Sequence, residues 1–157
     1  MEILFKEEQK MSQWWLWVLL LGILSIFVYG DIQQIILGKP FGDKPAPDFV
    51  LILSTLGILG LCYFFYLLKI ITTITNEYIH IKYSFFVDKK VKWRDVKKAE
   101  IIQYSFVGYG LRLSFKYGTV YNASGNKGLQ IHSKFGKFVV GTQKPEELAQ
   151  IMSNFTF

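Results

Sequence analysis

The chain has 157 residues, of which about half are hydrophobic, and a formal net charge of +6. This length holds one small domain beside any membrane-spanning segment. The charge is uneven, since residues 1–68 carry four lysines against six acids and residues 69–157 carry fourteen Lys or Arg against six acids. The single cysteine, Cys62, excludes an intramolecular disulfide framework.

Two apolar runs stand in the first half of the chain, at residues 11–30 and 49–68, and neither contains Asp, Glu, Lys or Arg. About 20 apolar residues in a helix cross a bilayer core of roughly 30 Å. A soluble core helix of that length would carry a polar face. The sequence therefore predicts a transmembrane hairpin. A cleaved signal peptide is the alternative for the first run, but Phe27-Val28-Tyr29 stands where small residues belong.

The predicted organisation follows from these runs. It comprises an N-terminal tail (1–10), transmembrane helix 1 (11–30), a short loop (31–48), transmembrane helix 2 (49–69) and a C-terminal domain (70–157). The loop holds only Lys39 and Lys44, whereas Lys and Arg are dense after residue 68. Because basic segments stay in the cytoplasm, we predict that both termini are cytoplasmic and that the loop lies outside.

Small residues recur along both runs. Ser54, Gly57 and Gly60 form a ridge at three-residue spacing, and Gly22 and Ser25 offer a similar patch. Such ridges let helices approach closely. We interpret these residues as packing between the two helices of the hairpin, with homo-oligomerisation as the alternative. The two runs contain no ionisable residue for an ion path or proton relay.

After residue 69 the hydrophobic period becomes two, which indicates half-buried strands. Ile79, Ile81 and Tyr83 are expected to face a core, as are residues 111, 113 and 115 (Leu, Leu and Phe). The predicted strands are 70–76, 78–84, 89–93, 98–105, 110–116, 119–123, 128–133 and 137–141.

One helix is predicted to close the chain. It starts at Pro145, with acids in its first turn and an apolar stripe after them. The predicted fold class is therefore α+β, with a two-helix transmembrane hairpin followed by antiparallel strands in meander order. These strands form a small barrel or sandwich capped by the helix.

Two segments resemble parts of bacterial pleckstrin-homology-like (PH-like) domains. Val91-Lys92-Trp93-Arg94-Asp95-Val96 is similar to their apolar-x-Trp-x-Asp-apolar signature, and residues 140–148 resemble their closing strand-to-helix passage. Some membrane-anchored bacterial members also place a two-helix hairpin before the domain. The resemblance implies a binding or scaffolding module in the bacterial cytoplasmic membrane rather than an enzyme. It supplies no ligand residues, and the phosphoinositide-binding motif of eukaryotic relatives is not recognisable.

The densest charge feature is a basic cluster shortly after the second run. Its members are Lys89, Lys90, Lys92, Arg94, Lys97 and Lys98. Strand alternation places residues 90, 92 and 94 on one face. Near a bilayer each basic residue contributes about 1 kcal/mol of attraction to anionic lipid. The cluster is also suited to an acidic protein surface, and a merely solvated face is the third interpretation. Nucleic acid binding is not expected, because no recognition helix or stacking motif accompanies the charges.

No catalytic, metal or cofactor site is predicted. His80 and His132 have no second His or Cys at metal-ligand spacing. Residues 106–110 (FVGYG) contain the Val-Gly-Tyr-Gly of potassium-channel filters, but they follow both apolar runs instead of lying between them, so we predict a glycine-rich turn or bulge.

The expected function is therefore non-enzymatic binding of a membrane-proximal protein partner by a tethered domain. Strand addition at an exposed sheet edge is one route to such binding. The alternative is sensing of an anionic lipid surface through the basic cluster.

Overall fold

The computed structural model describes residues 2–105 and 109–156. The chain divides into two compact units. Ser12–Leu67 form a helical unit, and Met1–Met11 together with Leu68–Phe157 form a β-rich unit.

The helical unit contains α1 (Trp14–Asp31), a π-helical turn (Ile32–Ile36) and α2 (Asp48–Leu67). Both helical segments are long and apolar enough to cross a membrane, and most of their surface is exposed. The first extends beyond Gly30, because Ile32, Ile35 and Ile36 continue the apolar run.

This extension corrects the expectation of wholly non-ionisable spans. The segment Trp14–Ile36 includes Asp31, whose Oδ2 accepts a hydrogen bond of 2.6 Å from the Thr55 hydroxyl. Gln34 ties the connecting loop to α2 by donating to the Ala46 carbonyl and to the Asp48 carboxylate.

The small-residue ridge does not lie between α1 and α2. A Cβ added to Gly22, Gly57 or Gly60 would meet no atom within 4 Å. The buried positions of the two helices are instead Leu20, Gly30, Leu51 and Thr55. Gly22, Gly57 and Gly60 therefore make no close contact within the hairpin, and the role of the ridge, including the homo-oligomer alternative, stays a prediction.

The β-rich unit has nine strands among the described residues and one α-helix. They are β1 (Ile3–Lys10), β2 (Lys69–Thr75), β3 (Tyr78–Tyr83), β4 (Val87–Lys92), β5 (Val96–Gln103), β6 (Gly110–Ser114), β7 (Gly118–Asn122), β8 (Lys127–Ser133), β9 (Gly136–Gly141) and α3 (Pro145–Met152). The eight predicted strands and the predicted helix are confirmed, with boundaries shifted by one to two residues at most ends.

The first sheet has the order β1-β2-β3-β4 and is antiparallel throughout. Its first strand is the segment that the sequence analysis treats as a tail. In β1 the buried positions are Phe5, Glu7 and Gln9, so two of the three inward side chains are polar. A period-two hydrophobic signal is therefore absent there, and only the partners across the core show why the strand forms.

The second sheet has the order β5-β8-β9-β7-β6. The expectation of a purely antiparallel meander is wrong for this sheet. The β8–β9 hairpin inserts between β5 and β7, and β9 therefore runs parallel to β7. Turn residues predict that two consecutive strands form a hairpin. They do not determine which other strand pairs with the free edge of that hairpin.

The two sheets face each other across an apolar core. Ile74, Ile79 and Ile81 of the first sheet and Ile131 and Phe138 of the second are fully buried. Polar groups also cross the core. The Gln9 amide donates to the Gly141 carbonyl at 2.6 Å, and Glu7 accepts from the Thr142 hydroxyl and the Gln143 backbone N–H, both at 2.7 Å.

The signature segment around Trp93 connects the two sheets. Trp93–Asp95 form a short 3-10 turn between β4 and β5. The Trp93 indole donates to the Thr75 carbonyl at 2.7 Å, and its ring packs on Phe155 after α3. Helix α3 packs against β5 and β1 through its buried Leu148 and Met152.

Candidate docking surfaces

The apolar face of β6 lies uncovered at one edge of the second sheet. Leu111 is 43 % and Leu113 88 % exposed, and Phe115, in the turn directly after β6, is fully exposed. The expectation that these three side chains face a core is wrong. Their alternation does mark one face of a strand, but no described element covers that face.

The sheet register shows which face of the second sheet these side chains occupy. Leu113 lies beside Thr119, which lies beside Phe138, which lies beside Ile131. Residues paired in this way share one face of a sheet. Phe138 and Ile131 are fully buried on the face turned to the first sheet. The apolar row of the core therefore continues past the point where the first sheet covers it. We call Leu111, Leu113 and Phe115 the β6 overhang.

The surroundings of the β6 overhang are basic. Arg112 and Lys116 alternate with its apolar side chains, and Lys137 lines a shallow groove of about 420 Å³ beside Leu113 and Phe115. The sequence from Tyr109 to Ser124 contains no Asp or Glu. A segment that combines apolar and acidic side chains thus complements this surface.

Strand β6 also offers backbone groups. Among the described residues β6 pairs with β7 alone, so it is an edge strand of its sheet. The outer edge of such a strand presents N–H and C=O groups to an added strand. The surface thus combines an apolar face, basic side chains and a hydrogen-bonding edge.

The predicted basic cluster is divided by the structure. Lys90 and Lys92 lie on the outer face of β4 and are exposed. Lys89 is the neighbour of Lys90 in the strand and therefore points to the opposite, inner face. Its Nζ lies 4.2 Å from the centre of the Phe138 ring. Burial lowers the pKa of Lys89. An exposed patch containing all six basic residues is therefore not formed.

The other predicted members lie after β4. Arg94 is in the 3-10 turn, whereas Lys97 and Lys98 are exposed on β5 of the second sheet. Lys98 forms an ion pair with Glu100 at 2.7 Å.

The structure shows a different grouping of basic residues, on the outer face of the first sheet. Strand register and alternation bring six lysines together there, with two acids among them. The lysines are Lys6, Lys10, Lys69, Lys82, Lys90 and Lys92, and the acids are Glu8 and Asp88. We call this surface the basic face.

Both acids of the basic face have close partners. Glu8 pairs with Lys69 at 3.3 Å, and the Asp88 carboxylate lies 2.7 Å from Nε2 of His80. The hydrogen bond with His80 lowers the pKa of Asp88. Two lysines of this face, Lys6 and Lys10, could not be grouped with the others from the sequence, because they lie about 60 residues before Lys69. Assigning β1 to the sheet is the step that would find them.

His80 thus has a carboxylate partner, and His132 lies partly buried on β8. Among residues 2–105 and 109–156, no three His, Cys, Asp or Glu side chains lie together as a metal-binding group. The glycine-rich turn predicted at 106–110 falls mostly outside the described residues, because residues 106–108 are not among them.

Fold and surfaces together define the class of protein. This is an α+β chain with two apolar helices of membrane-spanning length and a β-rich unit that carries an exposed apolar strand edge and a basic face. Comparison of the chain with protein-family models, with curated proteins and with solved structures finds no match.

Proposed function

We propose that this chain is an integral protein of the bacterial cytoplasmic membrane whose β-rich unit, a PH-like domain, binds a membrane-proximal protein without catalysing a reaction. The β6 overhang carries the proposal. Apolar patches of this kind on soluble surfaces mark interaction sites. The hairpin confines the unit to the bilayer surface, which raises its effective concentration for a partner in the same membrane.

The proposed partner contributes an extended segment with alternating apolar and acidic residues. Its apolar side chains continue the row from Ile131 through Phe138 to Leu113, and its acids meet Arg112 and Lys116. The resemblance of the Trp93 segment and of residues 140–148 to PH-like domains supports a binding role. The parallel β7–β9 pair departs from the meander order that the strand and turn signals predict.

Site-specific photocrosslinking in cells tests this proposal. A benzophenone amino acid replaces Leu113 in the full chain, and in a matched control it replaces Phe135, which is 77 % exposed in the β8–β9 turn. We expect one protein to crosslink at position 113 and not at position 135. Adding Phe115→Asp to the position-113 probe should reduce that crosslink, because it replaces an apolar side chain of the β6 overhang with a charged one that cannot pack against the partner's apolar side chains. Equal crosslinking at both positions, or none, would contradict the proposal.

The basic face supports lipid binding as a second candidate function. Its charge suits anionic headgroups, and such attraction weakens within a Debye length of about 8 Å at physiological salt. An isolated fragment 70–157 is unsuitable for the test, because it lacks β1 and hence Phe5, Glu7 and Gln9 of the core.

Lysine labelling of the full chain in nanodiscs suits this second candidate. An amine-reactive reagent is applied in bilayers with and without anionic lipid, and labelling is read by mass spectrometry. We expect anionic lipid to protect Lys90 and Lys92 at low salt, with the protection lost at high salt, whereas Lys134 of the β8–β9 turn should react equally in both bilayers. Unchanged labelling at all three positions would contradict lipid binding by this face.

A further inference from the structure

The turn between β3 and β4 presents two neighbouring phenylalanines to solvent. Phe85 is 66 % and Phe86 54 % exposed, and their ring centres lie 4.6 Å apart. The Tyr83 ring lies 5.8 Å from that of Phe86 and extends the cluster toward the strand. Large exposed aromatic side chains at a turn are unfavourable in water, since burying one contributes about 1.5–3 kcal/mol.

The backbone of this turn is held in place. The Phe86 N–H donates to the Tyr83 carbonyl at 2.9 Å, and Ser84 takes a positive φ of 44°. Ser84 also forms two hydrogen bonds with Lys69: its N–H donates to the Lys69 carbonyl at 2.9 Å, and its hydroxyl accepts from the Lys69 N–H at 3.2 Å. The turn is therefore fixed to the first residue of β2.

This attachment places the turn close, along the chain, to a predicted membrane span. Helix α2 ends at Leu67, and β2 begins at Lys69, so a single residue separates them. Lys69 pairs with Lys10, the last residue of β1, and α1 begins four residues later at Trp14. The end of the first sheet that carries Phe85 and Phe86 is thus the end from which both connections to the helices leave.

We propose that Phe85 and Phe86 insert into the headgroup–acyl boundary of the bilayer and act as an interfacial anchor for the β-rich unit. The inference rests on the proposed membrane location. Apolar side chains in this zone are buried about 5–10 Å into the interface. Lys10 and Lys69 lie at the same end of the sheet and supply the positive charge that anionic headgroups attract. The anchor limits the orientations of the unit and keeps Lys10 and Lys69, at the same end of the first sheet, near the headgroups.

A control position lies at the other end of β4. This strand begins at Val87, directly after the phenylalanines, and six residues of strand span about 20 Å. Beyond its end, the Asp95 carbonyl accepts from the Lys134 N–H at 2.9 Å, and Phe135 follows. Phe135 is 77 % exposed, so it matches the two turn residues in type and exposure but not in position.

Depth-dependent fluorescence quenching tests the anchor on the full chain. In a Cys62→Ala background, single cysteines (Phe86→Cys, Phe135→Cys and Leu56→Cys) carry a polarity-sensitive dye in liposomes that contain anionic lipid. Leu56 is an exposed residue of α2 and reports the span itself. We expect brominated lipid to quench the dye at 86 at least about threefold more than the dye at 135, and iodide in water to do the reverse.

The three positions separate the possible results. Quenching by brominated lipid at 56 and at 86 supports the anchor. Quenching at 56 with a dye at 86 as open to iodide as that at 135 overturns the anchor and leaves the membrane span intact. A dye at 86 shielded from both quenchers also overturns it, because protein then covers the turn. Absence of lipid quenching at 56 overturns the membrane location on which the anchor depends.

Discussion

The buried carboxylate of Glu7 is the residue whose contacts most clearly link the first strand to the last helix. Glu7 is 6 % exposed, and both of its oxygens accept hydrogen bonds from the passage that leads into α3. Hydrogen bonds to a charged group contribute about 1.5–3 kcal/mol, and a buried charge that loses its partners is strongly unfavourable. The hydrogen bond between Thr142 and Glu7 joins positions 135 residues apart in the chain.

We expect Glu7→Ala to lower the free energy of unfolding by about 2–3 kcal/mol and Thr142→Val by about 1 kcal/mol. The double variant should lose about 1 kcal/mol less than the two single losses combined, because the same bond is removed in each. Urea unfolding of the full chain in mild detergent provides the measurement. Glu8→Ala is the control, with an expected loss under about 1 kcal/mol, since its pair with Lys69 is exposed. Strict additivity would contradict the assignment.

Ionisation of Tyr104 should make the free energy of unfolding depend on pH in the alkaline range. It is 2 % exposed, its hydroxyl has no hydrogen-bond partner among the described residues, and burial raises its pKa from 10.0 to about 12. The folded state therefore holds the phenolic proton more tightly than the unfolded state. The stabilisation from this proton is fully present below pH 10 and is lost as pH rises toward 12.

We expect the melting temperature of the full chain in detergent to fall between pH 10 and pH 12, and Tyr104→Phe to reduce that fall. Some fall should persist, because burial also raises the pKa of Tyr83 and Tyr121. At pH 7 the variant should match the parent within about 1 kcal/mol, since it removes an unpaired hydroxyl. The same decline in parent and variant would show that Tyr104 does not carry the effect.

At the scale of elements, the β-rich unit includes β1, which lies before the helical unit in the chain. The strand is separated from β2 by the whole helical unit, yet it pairs with β2 along its length. Sequence periodicity does not reveal it, because Glu7 and Gln9 occupy inward positions that normally hold apolar residues. The strand is stabilised by Phe5 in the core and by polar bonds to the β9–α3 passage.

Phe5→Ala should therefore destabilise the unit by about 3–5 kcal/mol, as removal of a buried aromatic side chain usually does. Ile3→Ala is the matched control on the same strand, where a 59 % exposed side chain should cost less than about 0.5 kcal/mol. Both changes are measured by urea unfolding of the full chain in mild detergent. Equal effects of the two changes would show that β1 is not part of the cooperative unit.

Strand β6 differs from β1, because its sequence shows a clear strand signal while its apolar face is exposed. Its alternation of Leu111 and Leu113 with Arg112 and Ser114 is a clear strand signal, and the strand is present. Alternation identifies the side chains that share a face, but it carries no information on what covers that face. The first sheet has four strands and the second has five. The apolar row therefore extends beyond its cover, which is visible only when the two sheets are packed together.

At the scale of the whole molecule, the distribution of charge predicts the orientation in the membrane. Residues 31–48, between the two predicted spans, carry Lys39 and Lys44 among three acids, whereas basic residues are concentrated in the β-rich unit. By the positive-inside rule we expect the β-rich unit to lie in the cytoplasm. The pairing of β1 with β2 fits a two-span hairpin, because both connections to the helices then leave from one side, whichever side that is.

Cysteine accessibility measures this orientation. In a Cys62→Ala background, Lys44→Cys should react with a membrane-impermeant maleimide in spheroplasts, whereas Ser153→Cys should react only after the membrane is permeabilised. Both native side chains are exposed, so the reagent reaches each position from its own side. Labelling of Ser153→Cys in intact spheroplasts would reverse the proposed topology.

The sequence by itself determined the two apolar helices, eight of the nine described strands and the closing helix, because these depend on local periodicity and turn chemistry. Tertiary structure alone decided that β1 joins the sheet, that β9 runs beside β7, that Lys89 lies over the Phe138 ring and that the β6 overhang is uncovered. Each of these depends on which distant segment lies opposite, and the parity and periodicity of a strand do not specify its partner.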